Sequence, residues 1–242
     1  DIIVKEKKPT VAKLSATVVI LKEDQNVLKI LLVRRRPGDA FGDSYAFPGG
    51  VLDKDEINNC IPSWKLSNKT ASKNLKTQKG LSYYSAAIRE LFEETGILLA
   101  KNRLGQWVAI NEKIIQERNL LNEKKLNWID FLNKHNLSIA AESLNYFAFW
   151  ETPYTESKRW ETRFFLSKLP PQQLAVQDGN EVTDCLWIEP KRALALNNQG
   201  KLNMPMPTIS CILDISSFNT INEINQWAER KANSGIKKII PT

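Results

Sequence analysis

Ser82–Gly96, SYYSAAIRELFEETG, reads as one amphipathic helix over 82–95. At 100° per residue, Tyr84, Ala87, Ile88, Leu91 and Thr95 share a side. Glu90, Glu93 and Glu94 fall within about 100° of one another on an adjoining face. Ser82 is the candidate N-cap, and Gly96 can end the helix in a left-handed turn. The acids sit at the wrong end for a plain helix, because the dipole favours Glu in the first turn. Glu90 and Glu94 are a like-charge i,i+4 pair, which Arg89–Glu93 offsets. Such a cluster suits a divalent cation held between carboxylates, since Mg²⁺ takes hard oxygen ligands and keeps room for phosphates. A solvated polar face is the plainer alternative.

The rest of the chain must bury one side of that helix. Residues 11–22 and 28–35 are rich in Val, Ile and Leu and flank the polar EDQN segment, so they read as a hairpin or two neighbouring strands. Residues 36–50 form a loop rich in Gly and Pro, with Pro48-Gly49-Gly50 a strong turn signal. Residues 104–111 read as a strand and 112–136 as a polar helical stretch with Trp128, Ile129 and Leu132 on one side. Strands are expected at 144–152, 159–169 and 182–188. Pro190 opens a short helix, and one or two helices occupy 207–231. The expected fold class is α/β or α+β, as one domain over 1–242.

Composition removes several chemistries. One histidine, His135, excludes any site needing two, and Cys60, Cys185 and Cys211 show neither a disulfide framework nor metal-knuckle spacing. No apolar run is long enough for a membrane span. The expectation is a cytoplasmic protein, with a peroxisome or another organelle as alternatives. The +7 net charge permits anionic ligands without demonstrating them.

Gly50, Glu56, Arg89, Glu90, Leu91, Glu93, Glu94, Gly96 and Ile97, led by Phe47-Pro48-Gly49, resemble the box motif of the Nudix hydrolases (Gly50–Ile97). In that motif seven residues separate the first glutamate from the arginine; here 32 do, so an insertion of about 25 residues, roughly 57–81, lies inside the box. A surface insertion costs little closure entropy. It leaves open whether Glu56 or a residue nearer the helix is the motif glutamate. A long insert, together with Thr162-Arg163-Phe164-Phe165, Leu169-Pro170 and Trp187, is similar to the coenzyme A diphosphatase branch.

The resemblance implies a mixed sheet between helices, a helical C-terminus and hydrolysis of a nucleoside diphosphate linked to a group X. It implies Mg²⁺ or Mn²⁺ held by Glu90, Glu93 and Glu94, Arg89 orienting a box glutamate, and Gly49 and Gly50 close to the substrate phosphates. The substrate it favours is coenzyme A or an acyl-coenzyme A. Glu181 is the leading general base, with Glu151, Glu156 and Glu161 as alternatives.

Arg34, Arg35 and Arg36 end a strand, and Arg34 or Arg36 is expected to reach the phosphates. The insert carries Lys65, Lys69, Lys73, Lys76 and Lys79 and no acid between Ile57 and Gly80. It reads as a mobile solvated loop or as an electrostatic collar for an anion. Trp64, Tyr83 and Tyr84 either stack a base or anchor the insert. Nucleic acid is a weak reading, because aromatics are not interleaved with the lysines. The sequence does not give the oligomeric state; the resemblance, to a family whose enzymes are frequently dimers, allows a homodimer. The competing functions are a broader ADP-ribose, dinucleotide or cap pyrophosphatase, and a binding module of the same fold without catalysis.

Overall fold

The structure is a computed structural model that describes residues 10–38 and 42–241. The elements run β1 Lys13–Asp24, β2 Val27–Arg35, β3 Tyr45–Ala46, β4 Gly49–Val51, α1 Lys54–Asn58, α2 Asn68–Leu75 and α3 Gly80–Thr95. They continue with β5 Ala100–Lys101, α4 Glu112–Asn122, α5 Trp128–Lys134, β6 Ser138–Ile139, β7 Asn145–Glu151 and β8 Trp160–Lys168. The C-terminal part holds β9 Val182–Ile188, α6 Pro190–Asn198, α7 Met206–Ile215, α8 Ile221–Ser234 and β10 Lys238–Ile239.

Strands β1 and β2 pair antiparallel across a turn in which Gln25 and Asn26 both have positive φ, as a tight hairpin turn requires. Among the described residues the main sheet runs β10-β7-β8-β1-β2-β3, with β4 also on β1 and β9 also on β2. β1 pairs parallel with β8 and antiparallel with β2 and β4, so the sheet is mixed. Side chains alternate across it. Ala16, Val18, Ile20 and Leu31 join the apolar cluster under α3, while Val19, Leu21, Ile30 and Leu32 join the cluster under α7 and α8. Both faces are covered, which is why β1 and β2 read as nearly continuous apolar runs.

Three local expectations are corrected. Residues 104–111 form no strand: Asn102 Oδ1 accepts the amides of Leu104 and Gln106, and Gly105 adopts a positive φ against Trp64. That side-chain turn competes with strand pairing. The helical stretch 112–136 divides into α4 and α5, with Lys124 left-handed between them. Ser82 is not a cap. The helix begins at Gly80, and its first amides donate to Ser72 Oγ and Asn68 Oδ1 of α2.

The insert is therefore an ordered part of the fold. Its helix α2 buries Ala71 and Leu75 in the cluster beneath α3, and Ser67 caps it. All five of its lysines are exposed. Tyr83 and Tyr84 are buried, with Tyr84 packed on Phe165 and Tyr83 beneath the Arg163 guanidinium, so they pack α3 onto β8 and are not open to a base.

Candidate active site

Helix α3 turns its charged stripe inward. Every residue of the helix except Glu90 is buried, including Arg89, Glu93 and Glu94. The solvated polar face is thus overturned. What packs against α3 decides this, because α1, α2, α4, β1 and β4 surround it.

Arg89 is the hub. Its Nε donates to Glu56 Oε1 at 3.1 Å, and its Nη1 donates to Glu90 Oε1 at 2.8 Å and to Glu93 Oε2 at 3.2 Å. Nη2 donates to the Val51 carbonyl at 2.8 Å, which ties the hub to β4. Despite the insertion, Glu56 meets Arg89. Ser85 Oγ donates to the same Glu56 oxygen at 2.9 Å, and Trp128 Nε1 donates to Ser85 Oγ at 3.0 Å. Burial alone would lower the Arg89 pKa, but Glu90, Glu56 and Glu93 together hold it well above its ordinary value.

A second cation closes the other side. Arg35 Nη2 lies 3.3 Å from Glu94 Oε1 and donates to the Gly49 carbonyl at 2.7 Å. Its Nη1 donates to Glu181 Oε1 at 3.2 Å, so the two glutamates share one guanidinium. The Gly49 amide donates to Glu94 Oε2 at 3.1 Å. Gly50 is opposite Ala16 in the β1–β4 pairing, and a Cβ on it would overlap the Glu90 carboxyl. Only glycine allows that approach.

Burial pushes the Glu93 carboxyl up to about 7, with Glu90 and Asp53 adding to the rise against Arg89 and Lys124. Burial, with Glu90 and Glu181, holds Glu94 well above the usual carboxylate range despite Arg35. Glu94 Oε1 is buried and accepts no hydrogen bond. The two arginines leave these carboxylates under-compensated, which is the condition in which a hard cation is welcome. Among the described residues, no three His, Cys, Asp or Glu side chains already converge as a closed ligand set. The arginines hold the glutamates apart, with Glu90 and Glu93 turned to Arg89 and Glu94 to Arg35. A buried acceptor without a hydrogen bond, a glycine cradle and all-oxygen donors fit a divalent ion held by Glu90, Glu93 and Glu94.

The expectation for Arg34 and Arg36 is corrected. Arg34 pairs with Asp43 at an exposed position, Arg36 donates to the Asn180 carbonyl, and Arg35 faces the glutamates. Period-2 alternation from Leu31, which faces α3, already points to Arg35. Glu151 is engaged by Arg159 and Lys238, and Glu161 by Arg163 and Lys238. His135 lies 2.6 Å from Glu117 and against the Phe131 ring, a packing position.

Two residues had no sequence signal. Arg118 of α4 donates to the Glu93 carbonyl at 3.1 Å and to the Val176 carbonyl at 2.9 Å. It places a cation at the C-terminus of α3, where the dipole favours one. Lys124, in the α4–α5 turn, comes within 3.6 Å of Glu93 Oε2.

Residues 62–213 match the model of the NUDT19 Nudix domain, more than half of the chain. The chain belongs to that Nudix family. This Nudix chain is 26% identical over 257 residues to the acyl-coenzyme A diphosphatase NUDT19 of Xenopus laevis, covering 88% of this chain and 66% of the relative. It is 20% identical over 251 residues to the human acyl-coenzyme A diphosphatase NUDT19, covering 88% and 67%. It thus spans about two thirds of the length of these relatives. A NUDIX hydrolase crystal structure from Alicyclobacillus acidocaldarius superposes with a TM-score of 0.70 at 20% identity, covering 90% of this chain and 96% of that one. The superposition shows the Nudix fold. No described helix is long and apolar enough to cross a membrane.

Proposed function

We propose that this protein is a divalent-metal-dependent hydrolase of a nucleoside diphosphate linked to a group X, with coenzyme A or an acyl-coenzyme A as the substrate. The observation that carries the reading is the buried, under-compensated pair Glu93 and Glu94, with half-buried Glu90 beside them against the Gly49-Gly50 strand. Such a group costs folding free energy, and a reaction that needs a cation at that point gives it a use. The names of the two acyl-coenzyme A diphosphatase relatives support the substrate.

Glu90, Glu93 and Glu94 would hold the ion, Mg²⁺ or Mn²⁺. When bound, such an ion neutralises phosphate oxygens, acidifies a water and steadies the leaving phosphate. Arg89 keeps Glu90 and Glu93 in place through the buried Glu56 pair. Arg35 sits at the strand end beside Glu94, where its fork can meet a phosphate. Glu181, on the same guanidinium, takes the proton of the attacking water. Water oxygen bonds to one phosphorus and the bridging P–O bond breaks. The products from coenzyme A are 3′,5′-ADP and phosphopantetheine. Residues 1–242 act as one domain in this reading.

The test is a panel of coenzyme A, dephospho-coenzyme A, ADP-ribose and diadenosine tetraphosphate, in Mg²⁺, Mn²⁺ or chelator, with both products identified by mass. Coenzyme A should show the highest kcat/KM, and chelator should abolish turnover. Turnover unchanged in chelator would sink the metal role. A preference for ADP-ribose would favour the broader pyrophosphatase. No turnover of any member would favour the binding module.

A further inference from the structure

A cleft of about 440 Å³ lies beside the box, lined by Glu56, Asn59, Cys60, Ser63, Asn68, Ser82 and neighbouring apolar side chains. Nearly all of its lining falls within 57–81, so a box of ordinary length would lack it. Its volume is in the range of small-molecule sites.

The chemistry of the walls is specific. Ile57, Ile61, Leu66 and Leu81 supply apolar surface, while Asn59, Ser67 and Asn68 supply uncharged polar groups. Ser63 Oγ is buried and has no hydrogen-bond partner. The Glu56 carboxylate is turned to Arg89 and Ser85, away from a ligand. Lys79 donates to the Ile57 carbonyl at 2.9 Å. Such a cleft suits an uncharged aliphatic chain carrying amides or hydroxyls, not a phosphate or a base.

The cleft is also tied to the carboxylates. Ser82, Ser85, Arg89 and Glu93 form one stripe of α3 facing α1. Ser82 lies about 16 Å from Glu93 along the helix at 1.5 Å per residue. An extended amide-linked chain about five residue lengths long covers that span. The two ends are separated by α1, with Asp53 and Asp55 beside Glu93 and Glu56, Ile57 and Asn59 beside the cleft.

We propose that the insertion builds the subsite for the uncharged, amide-bearing arm of group X, the part of the substrate beyond the diphosphate. This rests on the diphosphatase reading, and the experiment separates the two. Cys60 lines the cleft and is exposed, whereas Cys185 is partly buried and Cys211 buried, so Cys60 reports on occupancy.

The first measurement is alkylation of Cys60 by iodoacetamide, followed by peptide mass, with and without S-methylpantetheine. That probe has the amide arm but neither a diphosphate nor a free thiol. Protection of Cys60 is expected, and its absence overturns the proposal, whatever the protein hydrolyses. The second is steady-state kinetics of Leu66→Trp, with the rim variant Asn59→Trp as the safeguard should the first fold poorly. Filling the cleft should raise KM for coenzyme A about tenfold, the scale of apolar-pocket discrimination, with kcat and ADP-ribose kinetics within about twofold. Equal changes for both substrates, or none for coenzyme A in a folded variant, overturn it. If the parent hydrolyses neither substrate, the diphosphatase reading fails and Cys60 protection alone decides the subsite.

Discussion

Helix α8 opens on Thr220, whose hydroxyl accepts the Glu223 amide while the Glu223 carboxylate accepts the Thr220 amide. It buries Ile221, Ile224 and Ala228, keeps Asn225, Trp227 and Lys231 half-buried, exposes the rest, and carries Lys231 in its last turn. Helix α3, on the opposite face of the sheet, has no side-chain cap of its own, no acid in its first turn and no base in its last. Local chemistry stabilises α8. In α3, local chemistry is unfavourable at both ends, and other elements correct it: α2 satisfies its first amides and Arg118 its last turn. Glu90, Glu93 and Glu94 occupy the positions where α8 places a polar, harmless surface. The difference separates a helix stabilised by its own local chemistry from one whose buried charges cost stability and depend on other elements.

The comparison breaks most visibly at Arg89. Arg89→Met leaves Glu56 buried without its cation, and removing one partner of a buried pair costs about 3–5 kcal/mol. Urea unfolding should show that loss, and hydrolysis should vanish with it. A fully stable Arg89→Met would mean that the hub does not hold α3 together.

Next in size is the pH dependence. The Glu93 carboxyl is near 7 in the fold against an ordinary value of 4.5. The folded state binds that proton more tightly than the unfolded chain. Its contribution is therefore full below 4.5 and is lost as pH rises through about 7, on the order of 3 kcal/mol. Glu94 adds in the same direction. Metal-free melting curves from pH 4.5 to 8 should fall, and should flatten in Glu93→Gln. Equal slopes in both proteins would contradict the burial of that charge.

Glu94→Gln and Glu93→Gln should then lower kcat at least about 100-fold, near 2.7 kcal/mol of barrier, because the metal charge is lost. Above pH 7 both variants should be at least as stable as the parent, since a buried negative charge is gone. Loss of activity through loss of folding would be a different result, and a melting curve separates the two.

The smallest effect belongs to α8. Thr220→Ala should cost about 1 kcal/mol, the usual value of an N-cap, and leave kcat and KM unchanged. A change in kcat would mean that the two faces of the sheet are coupled.

The hairpin of β1 and β2, the α3 core and the Gly96 stop were legible because periodicity and turn chemistry are local. So was the set Arg89, Glu90, Glu93 and Glu94, whose spacing alone puts the acids on one side of α3, although their division between Arg89 and Arg35 was not. Residues 104–111 misled, since their apolar pattern lost to the Asn102 turn. Arg35 was within reach by strand parity, but the run of three arginines drew attention to its neighbours.

Near-neighbour patterns alone give the sheet-forming runs, the acidic helix and the second half of its box. Only tertiary structure decided that Glu56 reaches Arg89 across 32 intervening residues, that Arg35 closes on Glu94, and that Arg118 caps the helix. It also decided that the insert folds into a wall. Each of these depends on segments far apart in the chain meeting in a common interior. There burial alters the energy of a charge far more than its neighbours in sequence can.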